Sequence, residues 1–285
     1  MADWTISTDV TLPPLSAVAQ GILELKNQPD ADAKRLAALI ELDPSLAGQI
    51  MKAAGSAYFG YRGKICSIQD AISRVLGFDR ALHIAIGLAA GYSLQHRQAG
   101  PLGMDWFWRH ALYTAAVMQS LAGMCPASQR PLPGIAYLAG LLHDIGFLLL
   151  GYAHETVFHR LGHALEQDPG YRICDLEEQI YGRTHADLGA QLLRSWRMPA
   201  EVVATAFSHH NPKYQGSHRS YAHLGLIADR LLARLGMGDD GEEAVPEEVL
   251  AATGLTEDHL SRALEKIDHQ RIDLERLVEM FVSGG

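Results

Sequence analysis

The fold is decided by the stretch Gly140-Leu141-Leu142-His143-Asp144-Ile145-Gly146, which places an adjacent histidine and aspartate inside an otherwise apolar helical run. Burying a carboxylate without a partner is costly, so such an aspartate must take up a proton, pair with a donor or bind a cation. The His–Asp pair could be satisfied by groups of neighbouring helices, or it could hold a metal ion. The rest of the sequence has to distinguish these two interpretations.

The apolar run around the pair, Ile135 to Ala153, has roughly the 20 residues that a membrane span needs. An aspartate at the centre of a bilayer costs about 2.5–3.5 kcal/mol on insertion scales, so we expect a buried core helix rather than a membrane span. The N-terminus lacks the basic start and apolar run of a signal peptide. The chain has 3 widely spaced cysteines, an odd number that favours a reducing, cytoplasmic setting over a disulfide framework.

Composition and charge narrow the class of protein. Hydrophobic residues make up 48% of the chain and charged residues 20%, which is typical of a globular protein with a sizeable core. The net charge of -9 repels phosphate backbones, and no basic stripe with interleaved aromatic residues offsets it. We therefore expect no binding to nucleic acid.

Helical signals run along the whole chain and strand signals are nearly absent, so we predict an all-α protein of two helical lobes. Asp32 and Asp43 are expected N-caps, the second followed by a proline at the first helical position. Ser67 and Asp70 resemble a capping box, with aspartate in place of glutamate.

Breaks in the helical pattern predict three parts. Residues 1–100 form an N-terminal helical lobe, residues 101–236 a second helical lobe with the candidate metal site, and residues 237–285 a C-terminal helical extension. The boundaries rest on the Gly- and Pro-containing stretch from Gln98 to Asp105 and on the acidic stretch from Asp239 to Glu243.

The second lobe holds further imidazole and carboxylate groups. His110 and His185 each fall on the apolar face of a predicted helix, at spacings of three and four residues. His209 and His210 are adjacent at a helix end, and Asp229 lies in the middle of another helix. Taken singly, each of these residues is typical of a satisfied polar group in a core.

Taken in order, the candidate residues resemble the HD superfamily of metal-dependent phosphohydrolases, whose HD-GYP branch carries a His, an HD pair, a His, an HH pair and an Asp. The resemblance implies a site for one or two divalent transition-metal ions, and imidazole and carboxylate ligands suit iron, manganese, zinc or nickel. Asp144 would bridge two ions, and His143 with Asp144 would be the catalytic centre if the protein is active. The implied ligands are His110, His143, Asp144, His185, His209, His210 and Asp229.

Motifs along the first 230 or so residues resemble one branch more closely, the HDOD family, the HD-related output domain of bacterial signalling proteins. The resemblance implies an all-helical regulatory protein whose metal site is structural or senses a ligand. The motifs that carry it are Leu12-Pro13-Pro14-Leu15, Asp43-Pro44-Ser45-Leu46, Gly55-Ser56-Ala57-Tyr58-Phe59-Gly60, Ser67-Ile68-Gln69-Asp70-Ala71-Ile72, Trp108-Arg109-His110 and Thr184-His185-Ala186-Asp187-Leu188-Gly189.

The sequence departs from the HD-GYP enzymes at two places. Phe147 stands where those enzymes carry a lysine after HDIG, and Asn211-Pro212-Lys213-Tyr214 follows the HH pair in place of a GYP segment. Two hypotheses remain: a regulatory module of signal transduction, and an active metal-dependent phosphohydrolase on a nucleotide, cyclic dinucleotide or phosphoester. A metal-free helical interaction protein is a third interpretation.

The expected partners follow from the resemblance. We expect signalling proteins or a nucleotide messenger as partners, with a homo-oligomer as a further option, and no membrane association.

Overall fold

All regular structure in the residues described by the computed structural model, 10–94, 102–167, 172–238 and 244–283, is helical, which confirms the predicted fold class. The N-terminal helices are α1 (Ala17–Leu25), α2 (Ala33–Ile40), α3 (Pro44–Ala54), α4 (Ile68–Asp70) and α5 (Phe78–Tyr92), with a 3-10 turn at Ala57–Phe59 and a π-helical turn at Ala71–Leu76. The middle helices are α6 (Met104–Met124), α7 (Pro133–Leu142), α8 (Ile145–Ala153), α9 (Glu155–Gln167), α10 (Ile173–Ile180), α11 (His185–Ser195), α12 (Ala200–Ser208) and α13 (Arg219–Ala233). The C-terminal helices are α14 (Glu247–Thr253), α15 (Glu257–His269) and α16 (Arg271–Ser283).

Side-chain caps set several helix starts. The carboxylates of Asp32 and Asp43 accept backbone N–H groups of the first turns of α2 and α3 at 2.8 and 3.0 Å, as predicted. Ser67 accepts the N–H of Asp70 at 3.0 Å, but the Asp70 carboxylate accepts the N–H of Cys66 instead of returning to Ser67. The predicted capping box is therefore only half formed.

The His143–Asp144 pair does not lie inside one helix, and that prediction was wrong. α7 ends at Leu142 and α8 begins at Ile145, with Asp144 at φ -99° and ψ 14° between them. In a continuous helix of about 3.6 residues per turn, adjacent side chains point about 100° apart. The break allows the imidazole and the carboxylate to face the same point.

The apolar run around the pair is the core of the protein. Pro133–Ala153 is long and apolar enough to cross a membrane, but 94% of its most apolar 18-residue window is buried inside the protein, as expected for core helices. Two glycines allow other helices to approach it closely. A Cβ on Gly140 would lie 2.7 Å from Ala115 Cα in α6, and one on Gly146 would lie 1.9 Å from the carbonyl oxygen of His185 in α11.

Contacts join the two ends of the chain to the middle. α5 packs against α7, and α16 packs against α6 and reaches α3. The indole Nε1 of Trp196 donates a hydrogen bond to the carbonyl oxygen of Pro13 at 2.8 Å.

Residues 98–101 of the predicted linker and the acidic stretch 239–243 lie outside the described residues. The division at residues 100 and 236 stays a prediction.

Candidate metal centre

The structure brings all seven residues of the predicted ligand set together inside the middle helices. Most of them stand at helix ends, where a side chain can turn away from the helix surface. They are His110 in α6, His143 and Asp144 between α7 and α8, His185 at the start of α11, His209 and His210 just after α12, and Asp229 in α13.

One set of donors, called group A here, consists of His110, His143, Asp229 and the Oδ2 atom of Asp144. The Nε2 atoms of the two histidines lie 3.1 Å apart and 3.3 and 3.2 Å from Oδ2 of Asp144. The same nitrogens lie 3.5 and 3.4 Å from Oδ1 of Asp229. Four donor atoms from three segments of the chain therefore face one point.

A second set, called group B here, consists of the Oδ1 atom of Asp144 and the rings of His185, His209 and His210. Oδ1 lies 3.4 Å from Nε2 of His185 and 3.3 Å from Nε2 of His209, and these two nitrogens are 3.3 Å apart. Nε2 of His210 lies 3.1 Å from Nε2 of His185. The two oxygens of Asp144 thus face two different sets of imidazoles.

The hydrogen bond made by Nδ1, the ring nitrogen that faces away from the centre, determines which nitrogen carries the proton in three of the histidines. The Nδ1–H group of His110 donates to the carbonyl of Met237 at 2.7 Å, and that of His143 donates to Gly140 at 2.8 Å. The Nδ1–H group of His209 donates to the carbonyl of Thr205 at 3.1 Å. Because a carbonyl oxygen can only accept, Nδ1 must hold the proton, and Nε2 of the neutral ring presents a lone pair to the centre.

His185 is held by a carboxylate instead of a carbonyl. Oε2 of Glu177 accepts both the backbone N–H of His185, at 3.0 Å, and its Nδ1–H, at 2.8 Å. Glu177 is buried, and this burial raises the pKa of its carboxyl group even though His185 acts in the opposite direction. A carboxylate behind a histidine is the usual support of a metal ligand, since it fixes the ring and makes Nε2 more basic.

The centre of the cluster has the geometry that a metal site needs. Among the described residues, neither carboxylate oxygen of Asp144 or of Asp229 has a hydrogen-bond partner, although all four atoms are buried. Two ligands about 2.1 Å from one ion are about 3.0 Å apart at an octahedral angle and about 3.4 Å apart at a tetrahedral one. The distances of 3.1–3.5 Å between the donor atoms match this range. The residues present therefore fit divalent metal ions, one in each group.

The buried carboxylates of the cluster also favour bound cations. Burial alone would lower the pKa of His110 and His143, but the carboxylates of Asp144 and Asp229 raise the first well above 6.5 and the second to about 9. Burial would raise the pKa of Asp144, but His143, His110 and His185 hold it well below its usual range. Ionised carboxylates at this depth require balance by protons on the rings or by metal ions.

The cluster is closed to solvent except at one edge. Six of the seven residues are 5% exposed or less, and only His210 is half-buried. Aromatic rings cover it on two sides: Trp106 stacks on His110 at 5.2 Å between ring centroids, and Phe147 stacks on His185 at 4.1 Å. Phe147 itself is fully buried.

Three further polar residues, Glu177, His159 and His163, were not among the predicted ligands. Glu177 was missed as a functional residue, although its place between Ile173 and Ile180 on the apolar face of a short helix was a usable signal. His159 and His163 are exposed on α9 beside Glu155 and Glu166, as expected for a solvated helix face.

An all-helical frame with a buried centre of histidines and aspartates in this order defines a protein of the HD type. The profile of the HDOD domain matches residues 12–212, and the chain belongs to the HDOD family. Six of the seven donor residues lie within this match, and Asp229 lies beyond it.

Solved structures and curated proteins agree with this assignment. A Marinobacter aquaeolei VT8 protein, provisionally named a signal transduction protein, is 35% identical with a TM-score of 0.87, over 95% of this chain and 60% of that one. A Geobacter sulfurreducens HDOD domain protein with unknown function shares the fold, at 20% identity and a TM-score of 0.75, over 95% of this chain and 93% of that one. An uncharacterized protein of Treponema pallidum (strain Nichols) is 26% identical over 201 residues, which are 70% of this chain and 38% of that protein. This chain thus spans less than two thirds of the first and third of these relatives.

Proposed function

We propose that this chain is a regulatory module of signal transduction whose second lobe holds two divalent transition-metal ions, one in group A and one in group B. The observation that carries the proposal is the placement of Asp144. Its two buried oxygens have no hydrogen-bond partner among the described residues, and each faces a separate set of imidazole nitrogens. Imidazole and carboxylate donors suit iron, manganese, zinc or nickel.

The ions would join helices that are distant in the sequence. The donors come from α6, from the break between α7 and α8, from α11, from the end of α12 and from α13. An ion that binds only the folded protein stabilises it by about 2.7 kcal/mol at a concentration one hundred times its dissociation constant. We therefore expect the folded second lobe, and any surface that depends on it, to respond to metal supply.

Burial favours regulation over turnover. A divalent ion supplies Lewis-acid chemistry for phosphoester hydrolysis when substrate reaches it. Here Phe147 occupies the position after HDIG and covers His185, so no cation stands there to hold a phosphate. A cavity of about 870 Å³ at Pro13, Lys26 and Trp196 contains none of the seven donors. We propose that the output passes through protein partners or a bound nucleotide messenger.

Metal content tests the proposal directly. Protein made without an affinity tag is stripped with a chelator, reloaded with each of the four metals and analysed for bound metal and thermal midpoint. We expect two ions per chain in the wild type, a clear loss of both binding and thermal stability in Asp144→Asn, and wild-type behaviour in Asp268→Asn, which removes the same charge at an exposed position of α15. A wild type that binds none of these metals, or an Asp144→Asn variant that binds two ions, overturns the proposal.

A turnover screen separates the regulatory function from hydrolysis. Metal-loaded wild type is incubated with cyclic dinucleotides, nucleotides and generic phosphoesters. We expect no turnover above that of Asp144→Asn. Turnover that is present in the wild type and in Asp268→Asn but lost in Asp144→Asn would establish the phosphohydrolase instead.

A further inference from the structure

A cysteine stands at the open edge of group B. Cys174 is half-buried in α10, and its Sγ atom and ligand nitrogens of His185 and His210 all lie within 4.8 Å of one another. The cysteine has no counterpart in the His and Asp pattern that led to the centre. It nevertheless adds a third donor atom beside two imidazoles whose Nε2 atoms are already 3.1 Å apart.

The contact of Glu177 with His185 fixes the position of the thiol. Cys174 precedes Glu177 by three residues, so the two side chains share one face of α10. Because Glu177 holds both the backbone N–H and the Nδ1–H of His185, that face of α10 is fixed against the start of α11. The thiol therefore stays beside group B.

The two groups differ in negative charge. Among the atoms that face each centre directly, group A has a carboxylate oxygen of Asp229 and one of Asp144, whereas group B has only Oδ1 of Asp144. The Glu177 carboxylate stands behind the ring of His185 and does not face the centre of group B. Oδ1 is buried and has no hydrogen-bond partner within the described part of the chain. A dication in group B would therefore be compensated less well than one in group A, and a buried charge requires compensation. A thiolate at the edge of group B would supply it.

We propose that the thiolate of Cys174 is a ligand of the ion in group B, which makes the two metal positions chemically unequal. The inference rests on the proposed function, since it needs an ion in the centre. For an ion with bonds of about 2.3 Å to sulfur and about 2.1 Å to nitrogen, the two donors stand about 3.6 Å apart at a tetrahedral angle. The limit of 4.8 Å on the distances from Sγ to the nitrogens of His185 and His210 exceeds this value by about 1.2 Å, a difference that rotation of the half-buried cysteine side chain can reduce.

The proposal predicts metal selectivity within one centre. Thiolate favours soft and borderline ions such as Zn²⁺, whereas an all-carboxylate and imidazole set also accepts Mn²⁺. We expect Zn²⁺ and Co²⁺ to fill group B ahead of Mn²⁺. Group A should discriminate less between these ions.

Cobalt provides the test, because a thiolate bound to Co²⁺ gives a charge-transfer band in the near ultraviolet that imidazole and carboxylate ligands do not give. Stripped, untagged protein is titrated with CoCl₂ and followed by absorption. The variants are Cys174→Ser and, as a matched control, Cys66→Ser at an exposed position. We expect the band in the wild type and in Cys66→Ser, its loss in Cys174→Ser, and binding of the group B ion weakened by roughly tenfold or more in that variant.

Alkylation gives a second measurement on the unmodified chain. Iodoacetamide labelling is read by mass spectrometry for each cysteine, with and without Zn²⁺. Cys66 is exposed and Cys125 is buried, so the first should react and the second should not, whether metal is present or not. We expect Zn²⁺ to slow the labelling of Cys174 at least about tenfold, because the bound thiolate is no longer a free nucleophile.

The outcomes distinguish this inference from the proposed function. Cobalt bound without the charge-transfer band, a band that persists in Cys174→Ser, or labelling of Cys174 that Zn²⁺ leaves unchanged overturns the role of Cys174 and leaves the metal centre intact. A wild type that binds no cobalt and no zinc overturns the role of Cys174, and one that also binds no iron, manganese or nickel overturns the proposed function.

Discussion

Replacing Gly146 by alanine tests how closely the metal centre depends on helix packing. A Cβ at this position would lie 1.9 Å from the carbonyl oxygen of His185, 2.7 Å from its carbonyl carbon and 2.9 Å from the backbone nitrogen of Gly189. All three are backbone atoms of α11 and cannot rotate away. Bringing the shortest distance to an ordinary contact of 3.4 Å requires α8 and α11 to separate by about 1.5 Å.

The structure gives the size of the expected effect. A gap of about 0.5–1 Å already removes a quarter to a half of the dispersion attraction between facing atoms, and overpacking typically costs about 1–3 kcal/mol. The higher helix propensity of alanine relative to glycine offsets up to about 1 kcal/mol of this cost. Because the required separation of about 1.5 Å places the cost at the upper end of its range, we expect the free energy of unfolding to fall by about 2 kcal/mol. His185 would also move from 3.4 Å towards about 5 Å from Asp144, beyond the roughly 4.2 Å that two ligands of one ion can span.

Urea denaturation followed by circular dichroism, together with metal analysis, measures both effects. Gly123→Ala is the matched control, because a Cβ there meets nothing within 4 Å and the residue also lies in a helix of the second lobe. We expect this control to be stabilised by up to about 1 kcal/mol and to keep both ions. Wild-type stability and two bound ions in Gly146→Ala would show that the close approach of α8 and α11 is not needed.

Three further changes examine other parts of the structure. Glu177→Gln should weaken binding of the group B ion by roughly 10–100-fold, because His185 loses the carboxylate that accepts its Nδ1–H group. Metal titration measures this affinity, and an unchanged affinity would contradict the supporting role of Glu177. His83 is buried, and this burial lowers the pKa of its imidazole from 6.5 to about 4. As the pH drops from 6.5 to about 4, the imidazole therefore takes up a proton in the unfolded chain but not in the folded one. The free energy of unfolding should fall by about 3 kcal/mol over this range. His83→Leu should flatten that part of the stability–pH curve in urea melts, and an unchanged slope would refute the assignment. Trp196→Phe removes the hydrogen-bond donor to the Pro13 carbonyl and should lower the free energy of unfolding by about 1 kcal/mol. Proteolysis near the N-terminus should be faster than in the wild type, and equal cleavage rates would contradict the role of this hydrogen bond.

The order of the candidate ligands could be read from the sequence because each stood at a helix-compatible spacing or at a helix end. The N-caps at Asp32 and Asp43 were equally accessible, since a cap depends on residues within one turn. The seven donors could be named, and the structure brings them together. Their role as metal ligands stays a prediction until metal is measured.

The break between α7 and α8 could not be predicted in the same way. Neither proline nor glycine stands at positions 143 and 144, and the apolar pattern continues through them. The helix ends there because of contacts with other parts of the chain, which local propensity does not describe. Cys174 was not predicted for the same reason, since its importance comes from where α10 lies against α11, whereas the place of Glu177 on the apolar face of α10 was a signal that the sequence did contain.

The spread of the donors along the chain has a consequence for synthesis. His110 is the first residue of the set, and Asp229, the last, lies 119 residues after it. At about 5–20 residues per second, a ribosome needs roughly 6–24 s to pass from one to the other. During that interval the early histidines have emerged without their last carboxylate partner, so a complete centre assembles only after most of the chain has been translated. Capture of the proposed ions would therefore be a late step of maturation, after Asp229 has been added.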